Sequence, residues 1–283
     1  MYKIIDGKSI SIEILNELKL KIDSLKAVGK NIVIADILVG DDPASLVYAN
    51  SKLKKFNELG IKFDLVRFDS SISENVLINK IVELNDNNSI NGIFVEMPLP
   101  SHINANKVVN KISPNKDLDG FSNISLGTLY SGERGFYPCT AEGIIELLKR
   151  SNIEIEGKHC VVVGRSNVVG KPVSLLLLKE NATVTICHSK TKNMQEICKS
   201  ADILIVAIGK AKFIDEKYVK EGAIVVDAGI NRIECEGKMV TCGDVDFDKV
   251  AEHSSYITPV PGGVGPMTIV MLAKHCVETL NYE

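Results

Sequence analysis

A strand, a glycine turn and a helix follow one another at residues 158–172 (KHCVVVGRSNVVGKP), and they constrain the fold more than any other part of the chain. The apolar residues 160–163 predict a buried strand that ends at Gly164, and Gly170 stands where a helix over 172–179 would begin. Glycine lets the backbone approach an anion closely, and a helix N-terminus offers unpaired N–H groups. The pattern G-x-S-x-x-x-G only approximates the dinucleotide-binding fingerprint, so its strength depends on the surrounding chain.

Length and composition limit the classes of protein to consider. The 283 residues suffice for two domains or one large one, and 45% are hydrophobic. A net charge of −3 without a basic run argues against nucleic acid or an anionic membrane as a partner. No apolar stretch would span a bilayer and no signal-peptide core is present, so we expect a cytoplasmic protein. Seven cysteines without a C-x-x-C pair argue against disulfides and against a metal site.

Alternating strand and helix patterns predict two α/β domains. Apolar runs at 31–39, 61–68 and 90–95 predict strands, and helices are predicted over 7–29, 44–59 and 73–85, the last capped by Ser73. This β-α-β-α-β order implies a parallel sheet covered by helices. Residues 97–137 are rich in Pro, Gly, Asn and Asp, and we interpret them as loops around a site. Thr140 is predicted to cap a helix to residue 150, and further strands are predicted at 182–187, 202–207 and 223–227.

These elements predict three segments. Residues 1–138 form a first α/β domain, and residues 139–266 form a Rossmann-like nucleotide-binding domain that contains the glycine turn. A closing helix begins at residue 267, and we expect the segment 267–283 to pack back on the first domain.

The residues after the strand at 182–187 favour NADP over NAD. NAD sites usually place Asp or Glu about 20 residues after the glycine turn, where it binds the ribose 2′-hydroxyl. Here the strand is followed by His188, Ser189 and Lys190, and Arg165 lies within the turn itself. Guanidinium, hydroxyl and ammonium groups suit a 2′-phosphate better than a hydroxyl. Lys190 is explained equally well as a solvated surface charge, and some use of NAD stays open.

Two residue pairs in the first domain suit chemistry but also have ordinary structural explanations. Tyr48 and Lys52 are spaced i, i+4 beside the apolar stripe of their predicted helix, where they would edge a cleft. A boundary tyrosine and a solvated lysine explain that spacing as well. Asp117 and Asp119 in KDLDG either contact a ligand or form the usual turn of aspartate before glycine. These residues alone do not decide between the alternatives.

Seven motifs spread over nearly the whole chain occur in the order of one enzyme family. They are VGDDPAS…Y-x-x-x-K (39–52), MPLP (97–100), KDLDGF (116–121), PCT (138–140), VVGRSNVVGKP (162–172), CHSKT (187–191) and PVPGGVGPMT (259–268). The chain resembles the bifunctional methylenetetrahydrofolate dehydrogenase/methenyltetrahydrofolate cyclohydrolase family. The resemblance implies two α/β domains around a cleft, NADP as cofactor, a tetrahydrofolate derivative as substrate, and a homodimer joined through the cofactor domain.

The resemblance also implies roles for individual residues. Tyr48 is expected to stack on the folate, Lys52 to transfer protons and Asp119 to hydrogen-bond the pterin. The residues expected to line folate or cofactor are Pro261, Gly262 and Gly263 for the substrate and Gly164, Arg165, Ser166, Gly170, Ser189, Ile230 and Thr268 for NADP. The implied reactions are oxidation of 5,10-methylenetetrahydrofolate to the methenyl cation, followed by hydrolysis to 10-formyltetrahydrofolate.

Glu96 departs from the family pattern. The segment before PLP usually carries glutamine, as in VQLPLP, whereas this chain reads VEMPLP. The glutamine is thought to position and tune the lysine, and a carboxylate in its place would raise the pKa of Lys52. A protonated Glu96 would instead mimic glutamine.

Several functional alternatives therefore stay open. One is a dehydrogenase whose cyclohydrolase activity is weakened or absent because of Glu96. In another, Glu96 is a tolerated variant at a solvated cleft edge and both activities are intact. The third is a non-catalytic nucleotide-binding protein built on a dehydrogenase scaffold.

Overall fold

The computed structural model describes residues 1–235 and 237–281, without the side chains of Pro43, Ala44, Tyr48 and Asn281. Within this part of the chain the strands are β1 (Lys3–Ile4), β2 (Val33–Val39), β3 (Lys62–Phe68), β4 (Gly92–Val95), β5 (His159–Val163), β6 (Thr183–Cys187), β7 (Ile203–Val206), β8 (Ala223–Asp227), β9 (Asn231–Cys235), β10 (Lys238–Cys242) and β11 (Ser254–Ile257). The α-helices are α1 (Gly7–Ala27), α2 (Pro43–Leu59), α3 (Glu74–Asp86), α4 (Ala105–Val109), α5 (Asn123–Ser131), α6 (Cys139–Arg150), α7 (Gly170–Lys179), α8 (Met194–Lys199), α9 (Phe247–Val250) and α10 (Gly265–Glu278).

The chain divides into two compact α/β units, each with a parallel sheet, which confirms the predicted fold class. One unit comprises Glu13–Tyr137 with Leu272–Glu283 and is named the catalytic unit after the folate site expected there. The other comprises Met1–Ile12 with Pro138–Met271 and is named the nucleotide unit after its glycine turn. The division differs from the boundaries drawn from the sequence because the first twelve residues group with the nucleotide unit, where β1 pairs in parallel with β11.

The catalytic unit contains a three-stranded parallel sheet in the order β3-β2-β4. Its central strand, β2, is apolar except for Asp36, and Ala35, Ile37 and Val39 face a core that includes residues of α3. Asp42 caps α2 by accepting a hydrogen bond from the Ser45 N–H at 2.8 Å. The following α3 begins after Ser73, which caps it as predicted. A buried central strand and capped helices fix the position of α2 and of the end of β4, between which the candidate site lies.

The nucleotide unit contains a six-stranded parallel sheet in the order β1-β11-β8-β7-β5-β6. The chain leaves β5 for β6 on one side and then returns to β7 on the other, so the sheet order reverses at β5. In open α/β sheets, ligands bind at the carboxyl ends of the strands that flank such a reversal. An antiparallel hairpin, β9–β10, lies outside this sheet.

The structure corrects several local predictions. Helix α6 starts at Cys139 with Pro138 as its N-cap, so Thr140 lies inside the helix and does not cap it. Its Oγ1 instead contacts Oγ1 of Thr268 at 3.1 Å. The sequence interpretation also missed α5, β1, β11 and the β9–β10 hairpin. In the described residues, every helix is too short or too polar to pass through a membrane.

Candidate active site

Lys52 is buried against two acidic side chains. Only 3% of its side chain is exposed, and its Nζ lies 2.6 Å from Glu96 Oε1 and 3.5 Å from Asp36 Oδ2. The same Nζ lies 4.7 Å from the centre of the Phe94 ring, a cation–π distance. The side chain of Tyr48, one helical turn earlier, lies outside the described residues, so its predicted stacking role stays a prediction.

The alternation of the sheet explains why these side chains meet. Successive side chains of a strand point to opposite faces, so Asp36 points away from the core that contains Ala35 and Ile37 and toward Lys52 on α2. Glu96 follows β4, and its N–H donates to the carbonyl of Ile37 at 2.9 Å, which continues the pairing of β4 with β2. The cluster is therefore fixed by backbone hydrogen bonds on both adjacent strands.

The burial of Lys52 and Glu96 excludes the two explanations that place them in solvent. Lys52 is not a solvated lysine, and Glu96 does not stand at a solvated edge, because their side chains are only 3% and 5% exposed. Asp36, which the sequence interpretation passed over as part of an apolar strand, is fully buried. A buried charge is tolerated only when it is paired or neutralised.

The electrostatics of the cluster favour a protonated lysine. Burial by itself would lower the pKa of Lys52, but the nearby carboxyl groups of Asp36, Glu96 and Asp119 outweigh it, and the net direction is upward. Burial raises the pKa of Asp36 to about 8 despite the opposing charge of Lys52. The site therefore contains a lysine that holds its proton and an acid that also holds one at neutral pH.

Asp117 and Asp119 have different environments. Asp117 is buried and accepts hydrogen bonds from the Ser122 N–H at 2.8 Å and the Ser125 hydroxyl at 2.6 Å, which is turn chemistry at the start of α5. Asp119 keeps part of its surface exposed, but protein atoms crowd it, and this burial raises its pKa to about 7, with Lys52 acting in the opposite direction. Of the two, only Asp119 belongs to the Lys52 cluster.

His275 positions the segment that contains Asp119. It lies on α10 with 1% of its surface exposed, and its Nδ1–H donates to the carbonyl of Leu118 at 2.7 Å. Its ring centre lies 5.1 Å from that of Phe136. Because Leu118 immediately precedes Asp119, this hydrogen bond fixes the backbone from which the Asp119 side chain projects. The sequence interpretation did not identify this histidine.

The glycine turn of the nucleotide unit is closely packed. Gly164 has φ of +135°, and a Cβ there would lie 2.3 Å from the carbonyl oxygen of Ala207. A Cβ on Gly170 would lie 2.4 Å from the Gly164 carbonyl oxygen. Ser166 Oγ accepts from the N–H groups of Val169 and Gly170 at 3.1 and 3.3 Å. The turn therefore requires glycine at both ends, and α7 begins directly at the second one.

A cavity of about 350 Å³ opens beside this turn, at the point where the sheet order reverses. Its described lining includes Arg165, Ser166, His188, Ser189 and Lys210, and it contains no carboxylate. Lys190 is exposed but does not line the cavity. A glycine cradle with cationic and hydroxyl groups around it suits a phosphorylated nucleotide.

Asp244 fixes the far wall of this cavity. Its carboxylate accepts hydrogen bonds from the N–H groups of Ile208, Gly209 and Lys210 at 2.6–2.9 Å. The amide of Asn231 donates to it at 2.9 Å. Three of these four hydrogen bonds hold the backbone of residues 208–210 in place, whereas the Lys210 side chain stays exposed.

A second cavity of about 180 Å³ brings together residues that were predicted to contact the ligands. Its lining includes Ile230, Pro261, Gly262 and Gly263. The N-terminal segment supports this loop, because the Lys8 N–H donates to the Gly262 carbonyl at 3.0 Å. Thr268 does not line the cavity and contacts Thr140 instead.

The comparison with known families agrees with both units. The tetrahydrofolate dehydrogenase/cyclohydrolase catalytic domain matches residues 5–119, and the NAD(P)-binding domain of the same family matches residues 138–283. The chain belongs to the tetrahydrofolate dehydrogenase/cyclohydrolase family. Membership confirms the resemblance seen in the sequence and the prediction of a bifunctional enzyme, and the non-catalytic alternative loses its support.

Individual relatives of this family match over the full length of the chain. A bifunctional protein FolD from Agathobacter rectalis is 55% identical over 281 residues, which cover 99% of this chain and 100% of the relative. The crystal structure of the bifunctional FolD dehydrogenase/cyclohydrolase from Campylobacter jejuni has a TM-score of 0.96 at 46% identity and covers 100% of this chain and 99% of its own. The FolD of Trypanosoma brucei, solved with NADP and an inhibitor, has a TM-score of 0.93 at 33% identity, with 99% and 98% covered.

Within this tetrahydrofolate dehydrogenase/cyclohydrolase, the predicted site residues fall into three groups, of which Ile230, Pro261, Gly262 and Gly263 at the smaller cavity are one. Lys52, Glu96 and Asp119 cluster in the catalytic unit, and Gly164, Arg165, Ser166, Gly170 and Ser189 surround or support the larger cavity of the nucleotide unit. Residues that sequence reasoning missed are Asp36, Lys210, Asp244 and His275. An aspartate inside an otherwise apolar strand was the one usable signal, because a charge there requires a partner.

Proposed function

We propose that the enzyme oxidises 5,10-methylenetetrahydrofolate with NADP and then hydrolyses the methenyl product to 10-formyltetrahydrofolate. One observation supports this proposal above the others: the catalytic unit of a folate-family enzyme holds a buried lysine among three acidic groups. Such a cluster stores and moves protons, which hydrolysis needs and hydride transfer does not. Two separate assays test the proposal, namely NADP reduction by methylenetetrahydrofolate and the decay of methenyltetrahydrofolate over its rate in buffer.

The chain's own residues divide the work of the two reactions. Asp119 is proposed to hydrogen-bond the pterin and Tyr48 to stack on it, which orients the folate. For hydrolysis, Lys52 is proposed to take a proton from the attacking water and to return one as the ring opens to the formyl product. Its raised pKa means that the free amine is scarce at neutral pH. We therefore propose that the cyclohydrolase is weakened near pH 7 and that its optimum lies on the alkaline side.

Replacing Glu96 with glutamine tests this link between charge and hydrolysis. Glutamine removes one of the carboxyl groups that raise the pKa of Lys52, so cyclohydrolase activity at pH 7 should rise, by about tenfold for each unit that the pKa falls. The rising limb of its pH profile, where activity increases as Lys52 loses its proton, should move to lower pH. Glu58→Gln is the matched control because Glu58 is exposed on the same unit. A Glu96→Gln profile identical to that of the parent would contradict the proposal.

The nucleotide cavity supports NADP as the cofactor. The glycine turn leaves no room for side chains at Gly164 and Gly170, and the cavity lining carries Arg165, Ser189 and Lys210 but no described carboxylate. These groups fit a 2′-phosphate, which would be held by Arg165 and Ser189. When bound, NADP supplies the hydride acceptor, and the protein's contribution is orientation of the reactants.

Replacing Arg165 with glutamine tests the cofactor assignment. A hydrogen bond to a charged group contributes about 1.5–3 kcal/mol, so the affinity for NADP should fall by about 10- to 150-fold. The affinity for NAD should change little because NAD lacks the 2′-phosphate. Lys190→Gln is the control, since Lys190 does not line the cavity. Equal losses for NADP and NAD on calorimetric titration would overturn the role of Arg165.

The family resemblance also leads us to propose a cytoplasmic homodimer. Sedimentation velocity measures the oligomeric state directly, and a monomer at micromolar concentration would contradict the proposal. Cell fractionation of the native organism tests the compartment.

A further inference from the structure

The hydrogen-bonding capacity of Asp36 is unused, and Glu96 Oε1 beside it likewise has no hydrogen bond of suitable distance and angle among the described residues. Asp36 is fully buried, and neither of its carboxyl oxygens accepts a hydrogen bond from a donor group in the described part of the chain. Lys52 Nζ is 3.5 Å from its Oδ2, whereas the same Nζ is 2.6 Å from Glu96 Oε1. The lysine therefore pairs mainly with Glu96, and the Asp36 carboxyl needs another way to satisfy its oxygens.

The Glu96 side chain is the neighbouring polar group that can supply one. Strand β2 pairs with β4 so that Asp36 lies opposite Phe94, and Glu96, two residues further along, therefore lies on the same face as a diagonal neighbour. Both carboxyl groups also contact the same Lys52 Nζ, at 3.5 and 2.6 Å. Two carboxylates cannot hydrogen-bond each other, because both only accept, but a carboxylic acid and a carboxylate can. The charge count leads to the same conclusion. With every group ionised, one ammonium would face the carboxylates of Asp36, Glu96 and Asp119, which leaves buried negative charge without a partner.

We propose that Asp36 is a positioning residue that shares one proton with Glu96, so that the two carboxyl groups act as a single pair with one negative charge opposite Lys52. The proton lies on Asp36 and its O–H donates to the Glu96 carboxylate, whose other contact is the lysine ammonium. No covalent bond other than O–H changes, and the proton leaves to solvent as the pH rises.

Because of this pairing, the ionisation of Asp36 changes the pKa of Lys52 as the pH changes. The groups that face the pair are Lys52 from α2 and Asp119 from the segment before α5, and His275 from α10 acts on Asp119 in turn. Burial raises the pKa of Asp36 to about 8, in agreement with a retained proton at neutral pH. When Asp36 ionises, a second negative charge appears beside Lys52 and strengthens its hold on its own proton. The inference about proton sharing stands on the geometry, but its effect on hydrolysis rests on the proposed function.

Infrared difference spectroscopy detects the shared proton without any substrate. The parent protein at neutral pH should show the carbonyl stretching band of an un-ionised carboxylic acid that is absent in Asp36→Asn, which is close to isosteric. In the parent the band should disappear as the pH is raised past about 8. Asp64→Asn is the matched control, because Asp64 lies on the adjacent strand β3 and pairs with Lys62 outside the cluster. It should leave the band unchanged.

Enzyme assays give the second readout. In Asp36→Asn the amide can still donate to Glu96, but it cannot ionise and therefore cannot raise the pKa of Lys52. The rising limb of the cyclohydrolase pH profile should therefore move to lower pH. A purely structural role would scale the rate equally at every pH and leave the limb in place. The proposal is overturned if the parent minus Asp36→Asn spectrum lacks the acid band or if the two profiles superimpose. If Asp36→Asn does not fold, the titration of the parent decides: an acid band that persists above pH 7, where Asp119 ionises, and disappears past about pH 8 supports the pair, and its absence in that range overturns it.

The two proposals fail in different ways. A parent protein that shows the band but hydrolyses no methenyltetrahydrofolate would refute the proposed function and leave the proton pair intact. A parent that catalyses both reactions without the band would refute the pair alone.

Discussion

Replacement of Lys52 by methionine is expected to lower the cyclohydrolase rate by about 10²- to 10⁴-fold, the usual contribution of a proton-transfer group. Methionine has a similar length but cannot take or give a proton. The dehydrogenase should lose far less because hydride transfer involves no proton at this site. The decay of methenyltetrahydrofolate measures the cyclohydrolase, and NADP reduction in the same preparation measures the dehydrogenase.

The same change should destabilise the catalytic unit. Removing one partner of a buried ion pair costs about 3–5 kcal/mol, because the carboxyl groups of Asp36 and Glu96 lose their cation. Lys52→Arg separates the two effects, since it keeps the positive charge but not a usable base. It should retain more stability and still lack cyclohydrolase activity. Lys54→Met, at an exposed position of the same helix, should change neither property. Full hydrolysis by Lys52→Met would remove Lys52 from the mechanism.

Replacement of Gly170 by alanine is expected to damage the cofactor site severely. The added methyl group would lie 2.4 Å from the Gly164 carbonyl oxygen and 2.8 Å from the backbone nitrogen of Arg165. These are backbone atoms of the turn and cannot rotate away, so the turn must open. Overpacking of this kind costs about 1–3 kcal/mol, which corresponds to about 5- to 140-fold in NADP affinity if all of it appears in binding.

The control for this prediction is Gly127→Ala. Gly127 lies in α5, a Cβ there would meet nothing within 4 Å, and alanine is the better helix former. Its thermal unfolding midpoint should stay level or rise, and its NADP affinity should not change. Calorimetric titration of both variants makes the comparison. An unaltered affinity in Gly170→Ala would mean that the turn does not approach the nucleotide.

The sequence predicted the regular elements well because their signals are local. The buried strands β2, β5 and β8 are nearly continuous apolar runs, and β8 was predicted at Ala223–Asp227, the bounds found in the structure. Helices with clear caps, such as α3 after Ser73, were also placed within a residue or two. By contrast β1 has only two residues, and its pairing partner β11 lies some 250 positions away. A short strand that depends on a distant partner has no local pattern to recognise.

The site was predicted in part for the same reason. Motifs identified Lys52, Glu96 and Asp119, because each lies in a segment with a characteristic local sequence. Asp36 and His275 lie in an apolar strand and an apolar helix, and their role depends on contacts with residues far along the chain. The charge balance around Lys52 is thus a tertiary property. Motif reasoning predicted that Glu96 raises the pKa of Lys52, but it did not identify the carboxyl group of Asp36, which also acts on Lys52.

The three backbone hydrogen bonds from residues 208–210 to Asp244 have a consequence for changing cofactor preference. They fix the backbone of residues 208–210 and involve no side chain of that segment. The side chains of Arg165, Ser189 and Lys210 are exposed, and Lys210 contributes only its backbone N–H to Asp244, so a change of its side chain leaves that hydrogen bond in place. Selection between cofactors can therefore proceed by surface substitutions that leave the scaffold's stability nearly untouched. The side chains that would choose the coenzyme are thus separate from the hydrogen bonds that hold the cavity wall.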